Sequence, residues 1–199
     1  MTPNGFRLYP AYFDARRQRL LTDAVIEAVK FAPFYRPMTP GGQSMSVEMT
    51  NLGPLGWMTD SGGYRYEARH PVTGEAWPPI PPMLVEMWAH LTGGGPPPDA
   101  CLVNLYRPGA RMGLHQDRDE ADFSHPVISV SLGDQALFRI GGVDRRAASR
   151  SVRLASGDVC VLAGEARLAF HGVDRIVPGS SRLIRGGGRI NLTLRRASL

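Results

Sequence analysis

Lysine is almost missing from this chain: Lys30 is the only one among 23 basic residues, and all the others are arginine. Such an excess arises either from phosphate recognition or from an arginine-rich codon usage, and composition does not separate the two. Cysteine is nearly as scarce. Cys101 and Cys160 cannot staple a disulfide scaffold, and both lie inside strand-like runs (CLVNLY and VCVL), where they read as reduced core thiols. No stretch approaches the roughly 18 apolar residues of a membrane span, and the first 30 residues carry Arg16, Arg17, Arg19 and Asp23 where a signal peptide needs an apolar run. A cytoplasmic protein with no membrane partner is therefore expected. Internal repeats are absent as well, which excludes solenoids and propellers.

What is present is ordinary for an enzyme. The 199 residues, 43% hydrophobic and 21% charged, suffice for one buried core, so a single domain over 1–199 is expected. Charge is divided unevenly. Residues 1–100 hold 8 basic and 9 acidic side chains, and residues 101–199 hold 15 and 9, so the excess of +5 lies in the C-terminal half. A basic half suits a polyanionic partner, although many soluble proteins carry as much charge without one.

Asp14 can cap a helix with Leu21, Ala24, Val25, Ala28 and Val29 at helical spacing, closed by Pro33. A second helix is predicted after Pro81 and Pro82, with Leu84, Met87, Trp88 and Leu91 on one stripe and Gly93 as its stop. Residues 1–40 thus read as N-terminal helical support, 78–98 as helix and connector, and 99–199 as a β core. In that last part CLVNLY, VISVSL, QALFRI, SVRL, VCVL, RLAF, VDRIV and RINLTL alternate with turn residues. About eight short strands mean an antiparallel sandwich or barrel, for which a jelly roll is the commonest solution. The glycine- and aromatic-rich stretch 41–77 reads as hairpins or a lid.

His115 and Asp117 stand two apart, so on extended backbone both face one way, as cis metal ligands must. His171, after RLAF, would complete a two-histidine, one-carboxylate triad with three open coordination positions. By itself H-x-D is close to chance, with about 0.3 matches expected in a chain of this make-up. Other polar patterns of period two give it weight. Asn104 and Tyr106 share a face of CLVNLY. Arg189, Asn191, Thr193 and Arg195 share a face of RINLTLR, opposite Ile190, Leu192 and Leu194. That cationic face either lies in water or looks into the barrel, where the guanidiniums would need counter-charge. A dicarboxylate supplies one carboxylate to each.

Together NLYRPGARMGLHQDRDE, GEARLAFH and GGRINLTLR closely resemble the AlkB family of iron(II)- and 2-oxoglutarate-dependent nucleic-acid dealkylases, and the likeness runs over roughly residues 37–196 in the expected order. It implies a double-stranded β-helix with iron(II) on His115, Asp117 and His171. It assigns Arg189, Asn104 and Tyr106 to the distal carboxylate of 2-oxoglutarate, and Arg195 with Asn191 to the carboxylate beside the keto group. It makes 41–77 a nucleotide-recognition lid in which Trp57 and Tyr64 meet base and backbone. Asp119 would meet the exocyclic amine of the base and Arg145 a phosphate. The activity implied is oxidation of N-alkyl groups on bases of the 1-methyladenine and 3-methylcytosine type by O2, in alkylated DNA with RNA as a second candidate, by a monomer. One departure stands out. Gln43 follows Pro40-Gly41-Gly42 where bacterial members carry an aromatic residue, which removes one lid contact from the transfer.

Each lid residue also has a plain structural reading. Trp57 could be core, Tyr64 could close a hairpin, Asp119 and Glu120 could be a solvated acidic loop, and Arg145 with Arg146 could be surface charge. His70, His90 and His125 have no partnered pattern. Two other functions stay open on residues alone: the same iron chemistry on a protein or small molecule, and a non-enzymatic β-sandwich that binds nucleic acid.

Overall fold

The computed structural model describes residues 2–199. In chain order the strands are β1 (Phe6–Tyr9), β2 (Glu48–Leu52), β3 (Gly56–Asp60), β4 (Gly63–Glu67), β5 (Ala100–Tyr106), β6 (Met112–His115), β7 (Val127–Gly133), β8 (Gln135–Ile140), β9 (Arg150–Leu154), β10 (Val159–Leu162), β11 (His171–Val177) and β12 (Arg189–Arg195). Two helices, α1 (Ala15–Ala28) and α2 (Pro82–Thr92), precede β5. No helix among the described residues is long and apolar enough to cross a membrane.

Both helices start where their punctuation places them, and α1 stops at Ala28, ahead of the expected Pro33. The Asp14 carboxylate accepts from the Arg17 N–H at 2.8 Å, satisfying one of the free donors of the first turn, and α1 buries Leu21, Thr22, Val25 and Ala28. Pro82 opens α2 at a position where its missing N–H costs nothing. Gly93, at φ 73°, ends it in the left-handed conformation that glycine adopts most readily.

The strands make two antiparallel sheets, ordered β1-β10-β7-β12-β5-β2 and β6-β11-β8-β9, with β3 and β4 as a separate hairpin. Strands β5 to β12 are shared between the two sheets, β5, β7, β10 and β12 in the large one and β6, β8, β9 and β11 in the small one, in the manner of a double-stranded β-helix, the jelly roll expected. The large sheet is covered on both faces. On its outer face Leu21 and Val25 of α1 and Leu84, Met87 and Trp88 of α2 pack with Val103, Ile128, Val130, Ile190, Leu192 and Leu194. Its inner face looks onto the small sheet across Met49, Leu102, Phe138, Leu162, Val173 and Ile176.

This layering explains β12, which is buried along its whole length. Ile190, Leu192 and Leu194 point to the helices. The alternate residues Arg189, Asn191, Thr193 and Arg195 therefore point into the sandwich, and the cationic face looks inward rather than into water.

Three expectations need correcting. RLAF is not a strand: residues Gly164–Leu168 form a 3-10 turn closed by the Ala166 N–H on the Ala163 carbonyl and the Ala169 N–H on the Ala166 carbonyl. Buried Ala166 and Ala169 lie three apart, the spacing of a 3-10 turn and not of a strand. The count of eight strands survives because β6, not anticipated, takes the vacated place. The N-terminal region is not only helical, since β1 pairs with β10 at the edge of the large sheet. The 41–77 stretch is not all lid either, because β2 pairs with β5 inside that sheet. Neither short strand has a strong local pattern, and each is defined by the partner it finds.

Candidate active site

A cavity of about 740 Å³ opens between the sheets and runs beneath the β3–β4 hairpin. His115 at the end of β6 and His171 at the start of β11 are cross-strand partners, with ring centroids 4.6 Å apart. Close approach of the two strands depends on Gly172, where a Cβ would fall 2.5 Å from the Met112 carbonyl oxygen and 2.7 Å from that of Gly113. Gly172→Ala is expected to push β6 off β11 and cost about 1–3 kcal/mol of stability by overpacking. Urea denaturation of the metal-free protein measures this, and an unchanged midpoint would refute the role given to Gly172.

Asp117 lies just beyond β6 and completes the group. The imidazole Nε2 atoms are 3.8 Å (His115) and 3.7 Å (His171) from its two carboxylate oxygens, and one ligand atom from each residue falls within 4.8 Å of the others. Both rings are oriented through Nδ1, at 2.9 Å from the Gly113 carbonyl for His115 and 2.9 Å from the Ala169 carbonyl for His171. With the proton placed on Nδ1, each ring presents the lone pair of Nε2 to its neighbours. The Asp117 Oδ2 atom is buried without a hydrogen-bond partner. An orphaned carboxylate oxygen beside two free imidazole nitrogens is a donor set that fits a divalent iron ion.

Burial lowers the pKa of His171 to about 4, with the neighbouring His115 adding to the effect. Burial alone would raise Asp117, but the Arg195 guanidinium and the two imidazoles outweigh it and hold the carboxyl well below the usual range. A pH dependence follows for the metal-free protein. Above about pH 7 the His171 ring is neutral whether folded or unfolded. As pH falls below 6.5 the unfolded chain takes a proton that the folded ring refuses until about pH 4, so stability drops across that window by about 3 kcal/mol. Asp117 extends the loss to lower pH, because its unfolded carboxylate also protonates first. Denaturation at pH 7.5 and pH 4.5 checks the sign, and equal stabilities would contradict it.

The second half of the site is carried by β12 and β5, registered so that Arg189 faces Tyr106 and Asn191 faces Asn104. Arg189 is only 1% exposed, yet just one of its terminal nitrogens is satisfied: Nη2 donates to Ser131 Oγ at 2.9 Å and to Asn191 Oδ1 at 2.8 Å. Its Nε and Nη1 have no partner, and neither does Asn104 Oδ1. The guanidinium rests 5.5 Å from the Tyr106 ring centroid, and burial depresses its pKa and raises that of the Tyr106 phenol to about 12. Unmet donors on a buried cation fit a carboxylate ligand, as a 2-oxoglutarate end would be. Asn191, which the resemblance groups with Arg195, lines the cavity beside it and is bonded to Arg189, Ser129 and Thr193. Arg195 donates toward Asp117 Oδ1 at 2.9 Å.

At the mouth Trp57 stacks on Tyr64 with centroids 5.7 Å apart, and its indole N–H donates to Asp119 Oδ2 at 2.8 Å. Trp57, Tyr64, Asp119, Arg145 and Gln43 all line the cavity, and Arg145 lies over the Phe170 ring at 5.7 Å. Every site residue expected from the sequence is thus gathered around one cavity. Among the other histidines, His70 is a structural residue: its Nε2 meets the Pro33 carbonyl and its Nδ1 accepts from the Val72 and Thr73 N–H groups. Sequence reasoning did not single out Arg167, Glu120 or Tyr66 as site residues, although they form a buried polar cluster against Asp117 and Arg195. The only signal was an arginine placed among the apolar residues of EARLAF.

A family model described as the 2OG-Fe(II) oxygenase superfamily matches residues 5–195. The chain is 62% identical over 193 residues to an alpha-ketoglutarate-dependent dioxygenase AlkB homolog of Caulobacter vibrioides, covering 97% of this chain and 88% of that protein. It is 42% identical over 190 residues to the alpha-ketoglutarate-dependent dioxygenase AlkB of Salmonella typhimurium, covering 94% and 88%. Among solved structures, that of OsALKBH1 superposes with a TM-score of 0.79 at 31% identity, covering 98% of this chain and 99% of the other.

Proposed function

We propose that this chain, which belongs to the AlkB family of iron(II)- and 2-oxoglutarate-dependent oxygenases, oxidatively removes N-alkyl groups from damaged bases in DNA, of the 1-methyladenine and 3-methylcytosine type. The observation that carries this reading is the set of unmet polar atoms around one cavity: an Asp117 oxygen beside two imidazole nitrogens, and two N–H groups of Arg189. These are the needs of a metal and a dicarboxylate, met on facing walls.

In this reading His115, Asp117 and His171 hold iron(II) and leave room for two further ligands and O2. Arg189 binds the distal carboxylate of 2-oxoglutarate, helped by Asn104 and Tyr106, and Arg195 serves the carboxylate near the metal. When bound, iron(II), 2-oxoglutarate and O2 supply the oxidation: one oxygen atom enters succinate as CO2 leaves, and the other hydroxylates the N-methyl carbon, which departs as formaldehyde. The protein's own contribution is placement and exclusion of water. Phe138, Leu162, Val173 and Met49 give the chamber an apolar lining that strips water from the reacting carbon.

The substrate end of the reading rests on the hairpin and the acid beside it. A target base must leave the stack to reach the chamber, and the Trp57–Tyr64 pair offers it an aromatic surface. Asp119 can then exchange its bond with the Trp57 indole for one from the base's exocyclic amine. In this reading Arg145, which lines the cavity, meets a phosphate. Gln43 also lines the mouth and, having no ring, contributes hydrogen bonding there instead of stacking. The same reading takes the β3–β4 hairpin, within 41–77, as the nucleotide-recognition lid and the protein as a cytoplasmic monomer.

The test is formaldehyde and succinate release from methylated oligonucleotides, single- and double-stranded, DNA and RNA, set beside methylated peptides and free nucleosides. Release is expected from methylated DNA and not from its unmethylated copy. Turnover of a peptide or small molecule with none on any oligonucleotide would overturn the proposal.

A further inference from the structure

We infer that Glu120 and Tyr66 form a tie through which the β3–β4 hairpin sets the position of Arg195, and that both are positioning residues for 2-oxoglutarate binding. Neither side chain lines the cavity, so neither can act by touching substrate. The inference rests on the assignment of Arg195 to the cosubstrate carboxylate made above.

Glu120 is 6% exposed, and three groups converge on it. The Tyr66 phenol donates to Oε1 at 2.6 Å, Arg167 Nη2 donates to Oε2 at 2.9 Å, and Arg195 Nε forms an ion pair with Oε1 at 3.3 Å without hydrogen-bond alignment. The two arginines grip Asp117 from two sides: Arg195 Nη2 lies 2.9 Å from its carboxylate, and Arg167 Nη1 donates to its main-chain carbonyl at 2.6 Å. Two carboxylates and two guanidiniums therefore balance in a closed cluster, with Glu120 at the junction. Structural stabilisation alone would not require a phenol from the hairpin, since the four charges already pair.

Tyr66 adds a link to the part of the molecule that receives the base. It is the cross-strand neighbour of Trp57, and Trp57 is held to Asp119, one residue before Glu120. The hairpin consequently meets the 117–120 segment twice, through Trp57 at Asp119 and through Tyr66 at Glu120. Loosening Tyr66 frees Glu120 to draw Arg195 away from the direction in which a cosubstrate carboxylate must find it.

The test is calorimetric titration of 2-oxoglutarate into the Mn(II)-loaded protein, which binds without turning over. Tyr66→Phe keeps the ring and removes one hydrogen bond to a buried carboxylate, and is expected to weaken 2-oxoglutarate by about fivefold to tenfold. Arg65→Gln, in the same hairpin but bonded to Asp60, Glu67 and the Gly63 carbonyl, none of which lines the cavity, is expected to leave affinity unchanged. Glu120→Gln is expected to weaken binding more than Tyr66→Phe, and the double variant to be no weaker than Glu120→Gln, because both changes break one tie. Should Glu120→Gln fail to fold, Tyr66→Phe decides alone. A Tyr66→Phe protein that melts lower yet binds 2-oxoglutarate like wild type would overturn the inference. A wild-type protein that takes Mn(II) and does not bind 2-oxoglutarate would instead overturn the assignment of Arg195.

Discussion

Asp117→Ala is expected to lower kcat/KM by about a thousandfold or more and to leave the protein without stoichiometric iron(II), because it removes the only anionic member of the triad. The loss is not confined to the metal. Arg195 gives up its 2.9 Å partner and is left with Glu120 at 3.3 Å, so a buried guanidinium becomes poorly compensated. Breaking a buried pair from one side costs about 3 kcal/mol. The protein should still fold, with a lowered denaturation midpoint, since the Arg167–Glu120 pair persists. Metal analysis and initial-rate kinetics on one preparation test both halves. Iron retained at wild-type stoichiometry, or turnover within tenfold of wild type, would remove Asp117 from the ligand set.

Arg189→Met should do something less usual, raising stability while destroying function. In the ligand-free protein Arg189 is a buried cation with no anionic partner and two unsatisfied donors, a costly arrangement in a low-dielectric interior. Methionine has similar length and no charge. It should stabilise the ligand-free protein by about 1–4 kcal/mol, the range seen when buried charges give way to apolar residues. The same change removes the group proposed to meet the distal carboxylate, and the KM for 2-oxoglutarate should rise by about a hundredfold or more. Thermal denaturation with and without 2-oxoglutarate separates the effects: wild type should gain midpoint on adding it and the variant should not. A variant both less stable and normal in KM would show that Arg189 is structural.

The helices and most of the β core were legible because each rests on local signals, whereas the site residues were grouped by the family resemblance. Asp14 and Gly93 mark helix ends through backbone donors and a left-handed turn, and period two separates the faces of β12, although only the helices packed on Ile190, Leu192 and Leu194 decide which face looks inward. What stayed illegible depends on partners distant in sequence. Strand β6 carries a metal ligand yet has only four residues and a glycine, and it exists because β11 lies beside it. Strand β2 sits in the middle of what reads as lid because β5 needed a neighbour. Glu120 is indistinguishable from a solvated loop acid until Tyr66, 54 residues earlier, and Arg167, 47 later, are brought onto it. The 3-10 turn before His171 shows the reverse error, where spacing imitated a strand that tertiary contacts do not support.

The two faces of β12 also bind the enzyme's chemistry to its architecture. Slipping this strand by one residue would drive Ile190, Leu192 and Leu194 into the chamber and bury four polar side chains under the helices. A chain paired one residue out of register would thus lose both its helical layer and the polar face proposed to hold the cosubstrate. The register that packs the helices is therefore the same register that presents the proposed cosubstrate site.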